Sequence, residues 1–225
     1  MQVSQRSLWR TPLTVWALIL LPAMMLQAHK HWIYPKTPSP EPGQPMELVI
    51  TSGHEFPGGD FLFQDRLFHT VLIKTPDDTI LEPQVSEDGD HRIIRFIPET
   101  PGMYLARFVL KKPQMEEPLY WGQTVFTVGK KIADTLKVEF GSRLEIVLEF
   151  SESVPKTGNT IHLAISTDGQ SADGTVAIMP EGKKTTYLTV AENRKAEYRL
   201  KYPGYYLLTT HLNGKTCSLT FRVTE

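Results

Sequence analysis

Short runs in which apolar and polar residues alternate, or in which β-branched residues gather, recur through the chain and predict strands. They cover Met46–Ser52, Phe68–Ile73, Arg92–Ile97, Tyr104–Leu110, Thr124–Val128, Arg143–Phe150, Thr160–Ser166, Thr175–Ile178, Thr185–Val190, Ala196–Leu200, Tyr205–His211 and Ser218–Val223. Turn-forming clusters separate them: Pro57-Gly58-Gly59, Thr75-Pro76-Asp77-Asp78, Glu87-Asp88-Gly89-Asp90, Asp168-Gly169, Asp173-Gly174 and Asn213-Gly214. Strands at this spacing, with no helical period of useful length, predict an all-β chain built as sandwiches.

One pattern occurs twice. Arg95 to Phe108 reads strand, Pro101-Gly102 turn, strand, and Tyr198 to Leu208 repeats it around Pro203-Gly204. Each copy leads to a last strand, Gln123–Val128 in one half and Ser218–Val223 in the other. Proline fixes φ and glycine accepts a positive φ, so each Pro-Gly is expected to close a tight corner between adjacent antiparallel strands. Tyr104 and Tyr205 are expected at equivalent places after the two corners. The expected organisation is two tandem immunoglobulin-like modules, residues 29–130 and 135–225, with the boundary in Gly129–Asp134.

Composition changes the picture mainly at the start of the chain. Arg6 and Arg10 precede the apolar run Leu13–Leu21, which leads to Leu26-Gln27-Ala28. A charged region, an apolar region and a small residue read as a secretory leader over residues 1–28, too short for a comfortable membrane span. Its removal takes away two arginines and no acid, so the formal charge moves from −1 to −3. With no basic excess, nucleic acid is excluded as an expected partner. The single cysteine, Cys217, has no partner for an internal disulfide. It alternates with Leu219 and Phe221 and is expected as a small buried hydrophobe.

A cut after Ala28 would leave His29-Lys30-His31-Trp32 at the mature terminus. An α-amine, two imidazoles and the intervening amides suit Cu(II) or Ni(II), which accept nitrogen donors in tetragonal geometry. In a strand His29 and His31 would share a face about 7 Å apart, given a rise of roughly 3.3 Å per residue. Chelation through the intervening amides therefore requires the terminus to leave the extended form. The alternative set is the His29 amine and imidazole with His54.

His54 opens the loop Gly53-His54-Glu55-Phe56-Pro57-Gly58-Gly59-Asp60, where Glu55 or Asp60 could orient its ring. His69 alternates with Val71 and Ile73 and is expected to be packed on an apolar face. His91 follows an acidic run and is expected at a solvated hairpin tip, and His162 and His211 are expected at the surface. There is no Gly-x-Ser-x-Gly, no His-Glu-x-x-His and no phosphate-binding glycine loop, so no catalytic residues are nominated.

Ala28-His29-x-x-Trp32, Pro42-Gly43-Gln44-Pro45, Gly53-His54-x-Phe56-Pro57 and Pro203-Gly204-Tyr205, in this order, resemble a bacterial periplasmic family of unknown function. It is described as the substrate-specific region of nickel uptake systems. The resemblance implies a periplasmic protein that handles Ni(II) or Co(II) beside an inner-membrane metal transporter, with His29 and His54 at the family's histidine positions. His31 has no counterpart there, so its role rests on the chelate argument alone. The leading expectation is thus a periplasmic or secreted, non-enzymatic binding protein for nickel, cobalt or copper. Two alternatives are a copper histidine-brace enzyme that oxidises polysaccharides, and a metal-free carbohydrate-binding or adhesion module with exposed tyrosines such as Tyr205 or Tyr206.

Overall fold

The computed structural model describes residues 29–37, 40–129, 136–150 and 154–225. The expected leader and most of the expected module boundary lie outside them. Among the described residues seventeen strands follow one another. The first half holds β1 (Lys30–Pro35), β2 (Met46–Gly53), β3 (Phe68–Lys74), β4 (Ile80–Leu81), β5 (Val85–Asp88), β6 (His91–Phe96), β7 (Gly102–Leu110) and β8 (Tyr120–Val128). The second holds β9 (Leu136–Val138), β10 (Leu144–Phe150), β11 (Thr160–Thr167), β12 (Gln170–Ala172), β13 (Gly174–Pro180), β14 (Thr186–Val190), β15 (Ala196–Arg199), β16 (Gly204–Leu212) and β17 (Lys215–Val223). The described residues are nearly all β, as the patterning predicts, and form tandem immunoglobulin-like sandwiches.

Three sheets make the two sandwiches. The order β1-β2-β6-β5 forms one, and β12-β11-β10-β9, with β15 also on β11, forms another. The third runs β14-β13-β16-β17-β8-β7-β3-β4 and serves both halves. Its continuity comes from one parallel pairing, β17 on β8, in register from Thr216 opposite Tyr120 to Thr220 opposite Thr124. Residues 31–225 accordingly form one compact unit.

Alternate residues of β7 and β8 feed different cores. Tyr104, Ala106, Phe108, Tyr120 and Phe126 pack with Ile33, Leu48, Ile50 and Ile94 in the first core. Leu105, Val109, Trp121 and Val125 pack with Leu144, Ile146, Leu148 and Leu219 in the second. A strand covered on both faces loses the alternation that marks a half-exposed one. That is why the sequence pattern locates only Gln123–Val128 of β8.

The Pro-Gly corners are not hairpins. β6 and β15 lie in one sheet of their sandwiches, whereas β7 and β16 lie in the shared sheet, so each corner carries the chain across the sandwich. A tyrosine hydroxyl secures each crossing. Tyr104 donates to the Thr100 carbonyl at 2.9 Å and accepts from the Thr100 N–H at 3.2 Å. Tyr206, rather than Tyr205, is its equivalent: it donates to the Tyr202 carbonyl at 3.1 Å and accepts from the N–H groups of Lys201 and Tyr202 at 3.2 and 3.0 Å. The arrangement is the tyrosine corner of immunoglobulin-like sandwiches. Tyr205 faces the other way and donates to the Pro35 carbonyl. Both Tyr205 and Tyr206 are buried, which corrects their expected exposure.

His69 also departs from expectation. The β3–β7 register shifts between Phe68 and Thr70, so His69 falls on the irregularity and is exposed instead of packed beside Val71 and Ile73. Cys217 is buried on the face shared with Leu219 and Phe221, where burial pushes its thiol up to about 12. His162 and His211 lie at or near the surface, beside Glu197 and Thr216 respectively.

Because one sheet serves both sandwiches, chemical denaturation should show a single transition for the two halves. Tyr104→Phe and Tyr206→Phe should each lower its midpoint, at a cost of about 1–2 kcal/mol for the lost corner bonds. Two separate transitions, each sensitive to only one of these substitutions, would show that the halves unfold independently.

Candidate metal centre

β1, one of the strands that the patterning missed, organises this region. Its backbone at His31 is fixed by Tyr120: the His31 N–H donates to the phenol oxygen at 3.1 Å, and the phenol donates to the His31 carbonyl at 2.6 Å. The Ser218 hydroxyl donates to the same carbonyl at 2.8 Å. Burial pushes the Tyr120 phenol well up, so it stays protonated and able to donate. The next residue, Trp32, packs with Phe56, Tyr205 and Leu207 in a third apolar cluster.

The loop after β2 is built around a missing side chain. Gly53 has φ 151°, and a Cβ there would overlap the Asp60 carboxylate. Its absence lets residues 53–60 fold back so that the Asp60 N–H meets the Ser52 carbonyl at 2.9 Å. Gly59, at φ 75°, likewise leaves room for the Thr51 side chain. The Phe56-Pro57 peptide is cis. Two outside groups hold the loop. The Trp32 indole N–H donates to the Pro57 carbonyl at 2.9 Å, with Phe56 edge-on to the indole at 5.6 Å. From the other side, His91 Nε2–H donates to the Gly58 carbonyl at 2.9 Å. His91 is thus a brace for the loop, and not only part of a solvated tip.

His54 and His31 both report to this folded-back segment. His54 Nδ1–H points to Asp60 Oδ2 at 3.3 Å, and both side chains are about half exposed. Of the two acids expected to orient the ring, Asp60 is the one beside it. A carboxylate on Nδ1 fixes the tautomer with the basic lone pair on Nε2, as in many metal-ligating histidines. His31 Nδ1 lies 2.5 Å from the Ser52 hydroxyl, and its ring is edge-on to Phe63 and Tyr120 at 5.4 and 4.9 Å. For His31 to close a chelate with the terminus, it must give up Ser52, and its amide must leave the Tyr120 phenol.

His29 is exposed. The chain retains residues 1–28, so the nitrogen of His29 is an amide here and not the amine that cleavage would create. Among the described residues no three His, Cys, Asp or Glu side chains gather as a ligand set. His54 and the two candidate acids are visible in the sequence, whereas Ser52, Tyr120 and the grip of Trp32 are not. Only the Ala28-His29-x-x-Trp32 pattern hinted at the last of these.

No family model matches the chain, and no curated protein matches it in sequence. Solved structures resemble it only distantly. A two-domain fibronectin type III segment of chicken tenascin is 12% identical over 86% of this chain and 97% of its own, with a TM-score of 0.27. A DUF4785 family protein from Legionella pneumophila is 7% identical over 84% of this chain and 54% of its own, at 0.33. Escherichia coli alpha-2-macroglobulin is 8% identical over 88% of this chain and 31% of its own, at 0.30. Among the described residues no helix is long and apolar enough to cross a membrane.

The packing of Asp60 against Gly53 makes a direct stability prediction. Gly53→Ala should destabilise the protein by roughly 1–3 kcal/mol in urea denaturation, the usual cost of forcing atoms into a filled space. Gly58→Ala, whose Cβ would meet only the Glu55 carbonyl at 3.9 Å, should change stability by no more than about 0.5 kcal/mol. Equal effects at both positions would remove the argument for a built loop.

Proposed function

We propose that the exported, cleaved form is a periplasmic or secreted binding protein for a nitrogen-seeking divalent ion, Ni(II), Co(II) or Cu(II). It would take the ion through the α-amine and imidazole of His29 together with His54, for hand-over to a transport system. One observation carries the reading: Trp32, three residues beyond His29, grips the loop that presents His54, through the indole–Pro57 hydrogen bond. Three residues of chain span at most about 10 Å, so the created amine is tethered within reach of that loop. Asp60 on His54 supplies the orienting carboxylate that such a ligand needs. The motif resemblance adds the metal class and the transporter partner. His31 is the alternative third donor, at the expense of its bonds to Ser52 and Tyr120.

The test uses the mature chain beginning at His29, titrated with Ni(II) and Cu(II) by calorimetry and native mass spectrometry. One ion per chain is expected. His54→Ala and acetylation of the α-amine should each weaken binding at least tenfold, whereas His31→Ala should leave it nearly unchanged. The proton competes with the metal for the amine, whose ordinary pKa is about 7.7–8.0. Affinity should therefore fall as the pH is lowered through that range. Tight binding that survives both acetylation and His54→Ala would contradict the proposal. Loss on His31→Ala with His54→Ala silent would move the site to the amide chelate.

A further inference from the structure

In the second sandwich, two segments flank an open cleft of about 370 Å³ whose lining includes Lys183, Lys184, Thr186, Tyr198, Lys201 and Tyr202. That size lies within the range of small-molecule sites. One wall is the β13–β14 turn, closed by the Lys183 N–H on the Pro180 carbonyl at 3.0 Å. The other is the tyrosine corner, where the Tyr206 hydroxyl binds the backbone of Lys201 and Tyr202. At the base, Tyr198 is buried.

The charge here is one-sided. Four lysines elsewhere find acids: Lys36 with Glu47, Lys74 with Asp78, Lys195 with Glu149 and Lys215 with Glu117, all within 2.9 Å. Among the described residues, no carboxylate lies within ion-pair distance of Lys183, Lys184 or Lys201. The neighbouring acid, Glu181, is not part of the lining and accepts the Tyr205 N–H at 3.0 Å. Lys183 Nζ instead lies 5.1 Å from the centre of the Tyr202 ring, which is partly exposed.

The molecule contains its own control. The first sandwich builds the same corner on Tyr104, and the positions matching Lys201 and Tyr202 are Glu99 and Thr100. The corner therefore folds without a cation or an aromatic ring at those places. Three lysines lining one cleft, two hydroxyls and an aromatic surface are instead what a compact dianion with an organic part requires. A phosphomonoester carries about −1.5 to −2 charge at neutral pH, with three acceptor oxygens. Lysine binds phosphate as a mobile point charge, and the exposed Tyr202 ring offers apolar surface to the remainder.

We propose that this cleft binds a small phosphomonoester, its phosphate held by Lys183, Lys184 and Lys201 and its organic part against Tyr202. The cleft shares no lining residue with the histidine loop.

The experiment titrates the mature protein with glucose 1-phosphate, with glucose, and with phosphatidylglycerol vesicles, by calorimetry and sedimentation. Glucose 1-phosphate should bind and glucose should not, and binding should weaken as salt is raised. The variant Lys183→Gln, Lys184→Gln, Lys201→Gln should lose at least tenfold in affinity. Its unfolding midpoint should be unchanged, since all three side chains are exposed. Lys112→Gln and His54→Ala should bind as the parent does. Equal binding of glucose, unchanged affinity in the triple variant, or capture by vesicles without binding of glucose 1-phosphate would overturn the proposal.

Discussion

The parallel pairing of β8 with β17 is the interaction on which the rest of the structure depends. It joins two antiparallel half-sheets into one and makes each sandwich part of the other's wall. Its residues are unusually polar for so buried a place: Gln123, Thr124, Ser218 and Thr220 are essentially inaccessible to solvent. Each side chain finds a partner. Thr124 donates to the Thr220 carbonyl at 3.2 Å, and Gln123 donates to the Ser142 hydroxyl at 3.1 Å. Ser218 and Thr220 donate to the carbonyls of His31 and Ile33. A buried hydroxyl or amide left unpaired costs about 1–3 kcal/mol, so the join is stable only with β1 laid across it and the β9–β10 connection in place.

That connection has its own buried charge. The Glu145 carboxylate accepts N–H groups from Phe140, Gly141 and Ser142, and Ser142 in turn accepts from Arg107 at 2.7 Å. Burial nevertheless pushes the Glu145 carboxyl up. The first sandwich holds a comparable charge in Arg92, which lies over the rings of Phe63 and Phe68 and pairs with Asp65 and Glu87. The consequence for function lies at β1. Since β1 is required by the join, its register is fixed, and with it the indole of Trp32 and the loop that displays His54. A strand needed for folding thereby becomes the mount for the candidate metal centre.

What could be read in the sequence divides along physical lines. Strands with one wet face alternate and were legible, as at Thr160–Ser166, where Ile161, Leu163 and Ile165 are buried. The Asn213-Gly214 hairpin was legible because both residues must take positive φ, and they do, at 52° and 74°. β1 was not, because Trp32 faces the third apolar cluster and Ile33 the first core, so no alternation survives. The repeated Pro-Gly pattern revealed the duplication but not its geometry. A turn sequence does not encode which sheet the next strand joins, and the deciding contact is a tyrosine hydroxyl four residues from its partner. The same ambiguity placed the equivalent of Tyr104 one residue early. For the site, His54 and Asp60 were visible as loop chemistry, whereas the bonds from Ser52 to His31 and from Trp32 to Pro57 join distant positions.

The central claim is that a strand fixed by the sheet join brings the created terminus to His54. Electron paramagnetic resonance of the Cu(II)-loaded mature protein, grown with nitrogen-15 histidine, tests this directly. The account predicts isotope-sensitive hyperfine couplings from His29 and from the His54 imidazole, the latter disappearing in His54→Ala. A spectrum identical in the parent and in His54→Ala would contradict it.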